Sequence, residues 1–465
     1  MSPNAPTRQL TLFDSMCIIA GVVIGAGIYE TTPLIASNVA SPTSLLMVWV
    51  IGGVISLVGA FCYAELATAY PKDGGDFVYL SRAYGPRAGF LFAWTEYWMV
   101  RPGSIGMMAF VFARFANQLY PLTGPPFDAL GKLVAPSAAT PEAVSFVVYA
   151  VGSIVVLTIT NSLGVKSGKW TQNALTVAKV LGLIAIFIVG LFFVPTRAAV
   201  EATPAEASDS SSFQLALILV LFTYGGWNDL SYVAAEVRNP SRNLFRALAL
   251  GVTTITVIYI LVNIAFLKGL GLAGTASNTV AVDLLTLAVG DYAGRAISLL
   301  ICFSCLGAIN GTLFAGSRIY YAVGTEHKLV SWLGSWSGRF DAPVRALLFQ
   351  GGTAVVWTML FGNEQGFQRL LIFTAPVFWF FAFMVALSVI VLREKDRDTP
   401  RQHQVVFYPW LPIFFALSCA FMLESSVTYA LSNWRTETGW APEALASVGV
   451  ICAGIAVATF AIRKK

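Results

Sequence analysis

Two short glycine-containing segments are the part of the sequence best suited to binding a small polar molecule. Residues 25–27 read Gly-Ala-Gly, and residues 225–226 are both glycine. Glycine weakens a helix by up to about 1 kcal/mol relative to alanine, so a helix can unwind at such a segment. Unwinding frees N–H groups that attract a carboxylate and carbonyl groups that can hold an ammonium group. A site with both features matches the two charged ends of an α-amino acid.

Lys179 is the second residue with chemical potential, because it lies in the apolar stretch TVAKVLGLIAI. A lysine at the centre of a membrane helix costs about 2.5–3.5 kcal/mol on insertion scales, so it needs a partner or a role. It follows Lys169 by about 15 Å of helix rise, which predicts a position near mid-depth. The alternative is a lysine that snorkels to the membrane surface.

Arg101 is a third charged residue within an apolar stretch. It lies well past Arg87 in the same segment and is followed by Pro102, which is expected to kink the helix. Glu96 or Glu65 could pair with it, and we interpret the arginine as structural.

The chain that must position these residues is extremely apolar. Apolar residues make up 57% of it and charged residues 11%, with a mean hydropathy of +0.71, whereas soluble domains carry roughly 25% charged residues. A membrane-spanning helix needs about 20 apolar residues. That window predicts an all-α membrane protein with twelve transmembrane helices, near 14–37, 43–67, 88–119, 143–161, 174–194, 213–235, 245–268, 293–322, 344–362, 367–392, 405–430 and 443–462.

The two glycine segments fall in the first and sixth of these predicted spans. The two spans are five positions apart in the order of spans, and an odd offset means that a second five-span unit enters the membrane upside down. Interrupted spans at corresponding positions of two inverted halves indicate a transporter binding site. Close packing of helices at small residues is the alternative for either segment alone.

The positions of lysine and arginine predict the orientation. With a cytoplasmic N-terminus, twenty of the 29 basic residues fall in inside loops or tails, six fall in outside loops and three lie within spans. This bias predicts that both termini are cytoplasmic and that residues 195–212 form an external loop.

Other classes of protein are disfavoured by what the sequence lacks. No nucleophile–base pair of an intramembrane enzyme and no channel filter motif is visible, and no His, Cys and carboxylate cluster has metal-ligand spacing. The basic residues form no nucleic-acid-binding stripe. We therefore expect no enzymatic activity, cofactor, metal or nucleic-acid partner. The six cysteines all fall in apolar stretches, which predicts no disulfides.

Several motifs resemble the L-type amino-acid transporter branch of the amino acid–polyamine–organocation superfamily. They occur in family order, as VVIGAGIY at 22–29, CYAELATAYPKDGGDFVYL at 62–80, RPGS at 101–104, AKVLGL at 178–183, FTYGGWNDLSYVAAEVRNPSRN at 222–243 and SCLGAINGTLFAGSR at 304–318. The resemblance implies a leucine-transporter-type fold in one domain over 1–465. Its parts would be one repeat over about 14–194, an inverted repeat over about 213–392, and two additional helices over about 405–462.

The resemblance also implies roles for individual residues. The substrate carboxylate would meet the N–H groups of Ala26 and Gly27 within the unwound first span. Phe222 would cover the substrate, Asn228 would steady the unwound sixth span, and the ammonium of Lys179 would stand where relatives bind sodium. The substrate amino group would meet carbonyl groups freed beside Gly25 and in the sixth span, namely those of Val23, Phe222, Thr223 and Gly225.

The sequence also departs from this family pattern. Glu30 stands where an apolar residue is usual, and Asp229 adds an acid beside Asn228, so both are candidate specificity residues. The predicted function is sodium-independent exchange of neutral L-amino acids across the cell membrane. The alternative is a carrier of cationic amino acids, polyamines or other small metabolites, with proton coupling left open. The loop after Tyr120 has no cysteine, so we expect no disulfide-linked glycoprotein subunit and no partner beyond substrate and lipid.

Overall fold

A computed structural model describes residues 6–124, 127, 141–194, 210–361, 366–436, 439–440 and 442–461. Most of the predicted external loop, 195–209, and most of the segment between the third and fourth predicted spans lie outside the described residues. Within the described residues the protein is almost wholly helical, and its only strands pair two residues with two, β1 (Arg435–Thr436) and β2 (Gly439–Trp440).

Sixteen α-helices make up the described part of the chain. They are α1 (Leu12–Val23), α2 (Gly27–Ser37), α3 (Pro42–Ala69), α4 (Asp76–Tyr84), α5 (Pro86–Thr95), α6 (Arg101–Leu119), α7 (Pro141–Ser162), α8 (Val165–Ile188), α9 (Ser210–Thr223), α10 (Pro240–Thr275), α11 (Val280–Val289), α12 (Ala293–Glu326), α13 (Val344–Leu360), α14 (Gly366–Lys395), α15 (Trp410–Trp434) and α16 (Pro442–Ala461).

Each of the twelve predicted segments is helical. In the part of the chain that the structure describes, seven helices are long and apolar enough to cross a membrane, and an eighth span is present if α1 and α2, whose axes differ by 47°, count as one. Four segments are interrupted, including the fifth, which ends in a π-helical turn at Val189–Phe193. The first breaks between α1 and α2, and the third contains a π-helical turn at Glu96–Val100. The sixth passes from α9 into a 3₁₀ helix at Trp227–Glu236.

Local chemistry explains where the first helix begins. The hydroxyl oxygen of Thr11 accepts a hydrogen bond from the N–H of Asp14, and the Asp14 carboxylate accepts one from the N–H of Thr11. This reciprocal pair satisfies donors that a helix start leaves free. Asp14 also bonds Lys169 of α8 at 3.1 Å, so the cap ties the first helix to the fifth predicted span.

The helices differ strongly in how much of their surface the protein covers. In the most apolar stretch of α12, 78% of the residues are buried, whereas 28% are buried in that of the helix Val165–Phe193, which includes α8. The exposed side of the latter carries large apolar side chains, including Trp170 and Leu181. A water-facing surface would not be so apolar over a whole helix. We therefore interpret α12 as central and α8 as facing lipid along one side.

Candidate functional site

The first break separates α1 from α2 at the Gly-Ala-Gly segment. The hydrogen-bond ladder of α2 begins where the N–H groups of Tyr29 and Glu30 donate to the carbonyl oxygen of Ala26, at 3.0 and 3.1 Å. The N–H groups of Ala26 and Gly27 precede that ladder and carry the positive end of the α2 dipole. The backbone at this point therefore has the chemistry that a carboxylate requires.

The second break follows α9 and turns sharply at two glycines. Gly226 has a φ of +106°, in the region where a side chain would be strained. The N–H of Gly225 donates to the carbonyl oxygen of Phe222 at 3.0 Å. That carbonyl group therefore already has one backbone partner, whereas a helix end leaves carbonyl groups available for an ammonium group.

The two breaks lie against each other. The hydroxyl oxygens of Thr31 in α2 and Thr223 in α9 are 2.8 Å apart and form a buried hydrogen bond. A Cβ added at Gly27 would lie 2.7 Å from Thr223 Cγ2, and one added at Gly226 would lie 2.5 Å from Val22 Cγ1. Glycine is therefore required at both positions, because each break uses the space of the missing side chain for the other.

Side chains from neighbouring elements hold groups at both breaks. Tyr259 of α10 donates its hydroxyl hydrogen to the carbonyl oxygen of Val23 at 3.0 Å, and the N–H of Gly25 donates to the same oxygen at 2.9 Å. Asn228 donates to the hydroxyl oxygen of Tyr232 at 3.1 Å. The structure therefore brings the predicted residues of both breaks together, with Val23 and Asn228 already engaged.

Lys179 lies at the first break and is fully buried. Its ammonium donates to three carbonyl oxygens, those of Gly21 at 2.9 Å, Ile24 at 2.6 Å and Ser304 at 2.9 Å. These belong to α1, the break itself and α12. The side chain does not snorkel to the membrane surface, and its charge joins three segments of the chain where α1 ends.

The two acids that depart from the family pattern both face arginines. Glu30 pairs with Arg114 of α6, and both side chains are partly exposed. Asp229 is buried and accepts two hydrogen bonds from Arg101, at 2.7 and 2.9 Å. Each carboxylate therefore has a positively charged partner within the protein.

Arg101 is buried and also bonds Glu96 at 2.6 Å, which confirms one of the two pairings considered for it. The other pairing is wrong, since Glu65 instead bonds Arg393 of α14 at 2.5 Å. Both acids were plausible in sequence. Glu96 lies five residues before Arg101, and the π-helical turn at Glu96–Val100 brings positions five apart onto one face, whereas Glu65 and Arg393 meet only through the tertiary fold.

A cavity adjoins the second break. Gly225, Gly226 and Asn228 line it, together with aromatic and apolar side chains such as Phe378 and Phe415, and it has no charged lining residue. Residues of the first break do not line it. This cavity could not be predicted from the sequence, because its walls come from four segments far apart in the chain.

Further functional candidates were missed in the sequence. Asp76, within the PKDGGDFVYL motif, accepts hydrogen bonds from Tyr63 and Tyr232. It lies next to the Arg101 cluster, which consists of Arg101, Glu96 and Asp229. Gly226 is the glycine of the pair 225–226 that has a positive φ, and nothing in the sequence predicted which of the two would. Within the described ranges, no three His, Cys or acidic side chains converge as a metal site would require.

Known proteins match the chain over most of its length. A sequence model of the amino acid permease family matches residues 10–454. The b(0,+)-type amino acid transporter 1 of Mus musculus is 29% identical over 423 residues, which cover 90% of this chain and 82% of that protein. The large neutral amino acids transporter small subunit 2 of Mus musculus is 30% identical over 426 residues, covering 90% and 76%. The cystine/glutamate transporter of Homo sapiens is 28% identical over 424 residues, covering 90% and 80%.

The family match includes both breaks, the lysine at the first break and the Arg101 cluster. It begins before α1 and ends within α16, so no part of the site lies outside it. The chain belongs to the amino acid permease family.

Proposed function

We propose that this multi-pass membrane protein exchanges neutral L-amino acids across the cell membrane by alternating access, without sodium. The observation that carries the proposal is the contact between the two breaks. One provides free N–H groups at the start of α2, and the other ends α9 beside Thr223 with its carbonyl groups. A zwitterionic α-amino acid needs both, and the relatives' names identify them as amino-acid transporters.

The candidate binding residues follow from this geometry. We assign the substrate carboxylate to the N–H groups of Ala26 and Gly27. Phe222, which is partly buried next to the second break, is the candidate lid, and Asn228 steadies the turn. We assign the amino group to the carbonyl groups of Gly25, Phe222, Thr223 and Gly225, because the carbonyl oxygen of Val23 already accepts two hydrogen bonds.

Sodium independence is supported by the position of Lys179. Its ammonium is held by three carbonyl oxygens at 2.6–2.9 Å between α1 and α12. A sodium ion there would need those same oxygens. The lysine supplies a permanent positive charge in its place, so substrate binding does not depend on a second cation.

Neutral substrates are supported by the pairing of the two extra acids. Asp229 is bonded to Arg101 and Glu30 to Arg114, so both carboxylates are engaged within the protein. The cavity beside the second break also has an uncharged lining, which suits an apolar side chain. Glu30 keeps cationic amino acids and polyamines as the second candidate class, because its side chain is 31% exposed and accessible to a cation.

The proposed architecture has twelve spans in two inverted five-span repeats plus two helices. Repeat-related elements pack on each other in four pairs, since the two breaks touch, α3 packs on α10, α6 on α12 and α7 on α13. Such contacts are expected where a pseudo-two-fold axis passes between the repeats. This supports repeats near 14–194 and 213–392, with the added helices near 405–462.

The proposed orientation places both termini in the cytoplasm. Segments assigned to the inside by charge contact one another in the structure. Arg82 bonds Asp396 at 2.8 Å, Arg238 bonds the carbonyl oxygen of Arg8, and Thr7 bonds Asp341. Because these segments lie at the same end of the helix bundle, they are expected to lie on the same side of the membrane.

The proposed partners are substrate and lipid alone. All six cysteines lie within helices, and five of them are buried. Cys452, the exposed one, lies in the last helix and not in the loop after the third predicted span. We therefore propose no disulfide-linked subunit, although the name of one relative identifies it as a small subunit.

The experiment is exchange in liposomes. Purified protein is reconstituted with or without internal leucine, and labelled leucine uptake is measured in sodium and in choline. We expect uptake that requires internal amino acid and is equal in both salts. Competition by unlabelled amino acids then tests the substrate class, and absence of any amino-acid uptake or binding would contradict the proposed function.

A further inference from the structure

Asp76 is a buried carboxyl group that the transport site described so far does not use. It begins α4 and is 4% exposed. Its Oδ2 accepts hydrogen bonds from the hydroxyl groups of Tyr63 at 3.0 Å and Tyr232 at 2.8 Å. Its Oδ1 is buried and has no hydrogen-bond partner among the described residues. A buried carboxylate oxygen without a donor is costly, whereas a protonated carboxyl group is much less so.

Asp76 and Glu96 line the same small cavity. Arg101 is the nearby cation, and its donors are directed at Glu96 and at Asp229. Three carboxyl groups thus surround one guanidinium group, and Asp76 is the one without a charged hydrogen-bond partner. Two carboxylates facing one buried cavity favour retention of a proton on one of them. Because Glu96 is bonded to arginine, that proton belongs on Asp76.

The other groups around Asp76 leave this assignment unchanged. Its own helix contributes Tyr79, and Tyr320 of α12 donates to the carbonyl oxygen of Glu96 at 3.2 Å. The α14 wall of the cavity is apolar, with Phe378, Phe381 and Ala382. Burial raises the pKa of Asp76 to about 7, and the nearby Glu96 adds to this, while hydrogen bonds from Tyr232 and Tyr63 oppose it.

We propose that Asp76 is a proton-binding site of the transporter. A proton on its Oδ1 is required for the conformation in which the two breaks contact each other. The proton comes from water and returns to water when the cavity opens. The link to the substrate site is short, because Tyr232 bonds both Asp76 and Asn228, at 2.8 and 3.1 Å. The inference rests on the proposed function, since it concerns the same transport cycle.

The first test is the pH dependence of leucine exchange at equal pH on both sides of the liposome. A group with a pKa of about 7 loses about nine-tenths of its protonated form between about pH 6 and pH 8. We expect exchange to fall about tenfold over that range in the wild type and in Glu394→Gln, which removes an exposed carboxylate elsewhere. Asp76→Asn, which resembles the protonated form, is expected to give a flat profile near the wild-type rate at low pH.

A second variant tests the group without removing it. Tyr63→Phe deletes one hydrogen bond that stabilises ionised Asp76, so the midpoint of the pH profile is expected to move to higher pH. A merely structural role of Tyr63 would lower the rate at every pH and leave the midpoint unchanged. A midpoint that stays in place or moves to lower pH contradicts the proposal.

A third measurement does not depend on transport. Infrared difference spectra of the purified protein between about pH 6 and pH 8 are expected to show the carbonyl stretch of a carboxyl group that loses its proton, and Asp76→Asn is expected to lack it. The same band in wild type and Asp76→Asn overturns the proposal even if exchange cannot be measured.

The remaining outcomes separate the two proposals. Leucine exchange that is independent of pH in the wild type overturns the proton site and leaves the transport function intact. Restoration of high-pH exchange by sodium or potassium, relative to choline, identifies a metal cation and not a proton as the ligand. An infrared band lost in Asp76→Asn without amino-acid binding supports the proton site and contradicts the transport function.

Discussion

Replacement of Lys179 tests the mechanism at the first break most directly. The ammonium donates three hydrogen bonds to carbonyl oxygens of Gly21, Ile24 and Ser304. Hydrogen bonds to charged groups contribute about 1.5–3 kcal/mol each, and a buried carbonyl left without a donor costs about 1–3 kcal/mol. If local rearrangement recovers part of this energy, the conformation in which the two breaks contact each other still loses about 3 kcal/mol of stability. Because about 1.4 kcal/mol corresponds to a factor of ten, we expect exchange to slow by roughly a hundredfold.

The assay compares Lys179→Ala with Lys179→Met, which keeps most of the side-chain volume and removes the charge. Leucine exchange in liposomes is measured for both, and we expect both to be slow. Gly307→Ala moves the ammonium without removing it, since its Cβ would lie 2.7 Å from Lys179 Nζ. Gly294→Ala on the same helix is the matched control, because the nearest atom there is 3.9 Å away. Wild-type exchange in Lys179→Met would show that the side chain acts only through packing.

Sodium provides the refuting arm of the same experiment. Two cations about 4 Å apart repel by roughly 4 kcal/mol at an effective dielectric constant of 20, so sodium and the Lys179 ammonium cannot share the site. Wild-type exchange is therefore expected to be unchanged when choline replaces sodium. Accumulation of leucine driven by a sodium gradient in the wild type would refute the assignment of Lys179 as the permanent cation.

The remaining predictions concern the second break, the substrate charge and the topology. Gly225→Val is expected to abolish leucine binding while folded protein remains in the membrane, and Gly226→Ala is expected to do the same because of its φ of +106°. Gly152→Ala is the control, because its Cβ has open space. Retained affinity in both site variants would show that the glycines serve packing alone. Arginine and lysine are expected to compete weakly with leucine, because Glu30 and Asp229 have arginine partners; strong competition that Glu30→Gln or Asp229→Asn removes would assign the transporter to cationic substrates. For the topology, single cysteines are introduced within residues 195–212 and in the C-terminal tail of a variant without native cysteines. We expect them to react with impermeant reagents from opposite sides of the membrane. Labelling of both from the same side would contradict the inverted repeat.

The helical segments of the fold were predictable from hydropathy because each is long and apolar. The interruptions at residues 25–27 and 225–226 were predictable because glycine has the greatest backbone freedom and therefore weakens a helix. The π-helical turn at Glu96–Val100 was not predicted. It lies immediately before Arg101, whose three hydrogen bonds to Glu96 and Asp229 are specified by the tertiary structure and not by the local sequence.

Partners that lie far apart in the chain account for the rest. Glu65 meets Arg393 across 328 residues, and Thr31 meets Thr223 across 192. Nothing in the sequence around these residues indicates which of several compatible partners each will find. Asp76 was missed for the same reason. A carboxylate in a polar loop motif suggests a solvated position, and only the packing of Tyr63 and Tyr232 around it makes it buried.

The first break shows how a bilayer protein can keep an unwound helix and still move. Carbonyl groups freed in lipid need donors, and each unsatisfied one costs several kcal/mol. Here the donors are side chains from other helices, Lys179 of α8 for Gly21 and Ile24, and Tyr259 of α10 for Val23. The break is therefore stable only while those helices keep their positions relative to α1. In the proposed site, a substrate carboxylate at the start of α2 would add to the stability of the same arrangement, and its departure would remove that contribution. In this proposal, binding is thereby linked to helix position without any further element, because the groups that hold the break and the groups assigned to the ligand share one short stretch of backbone.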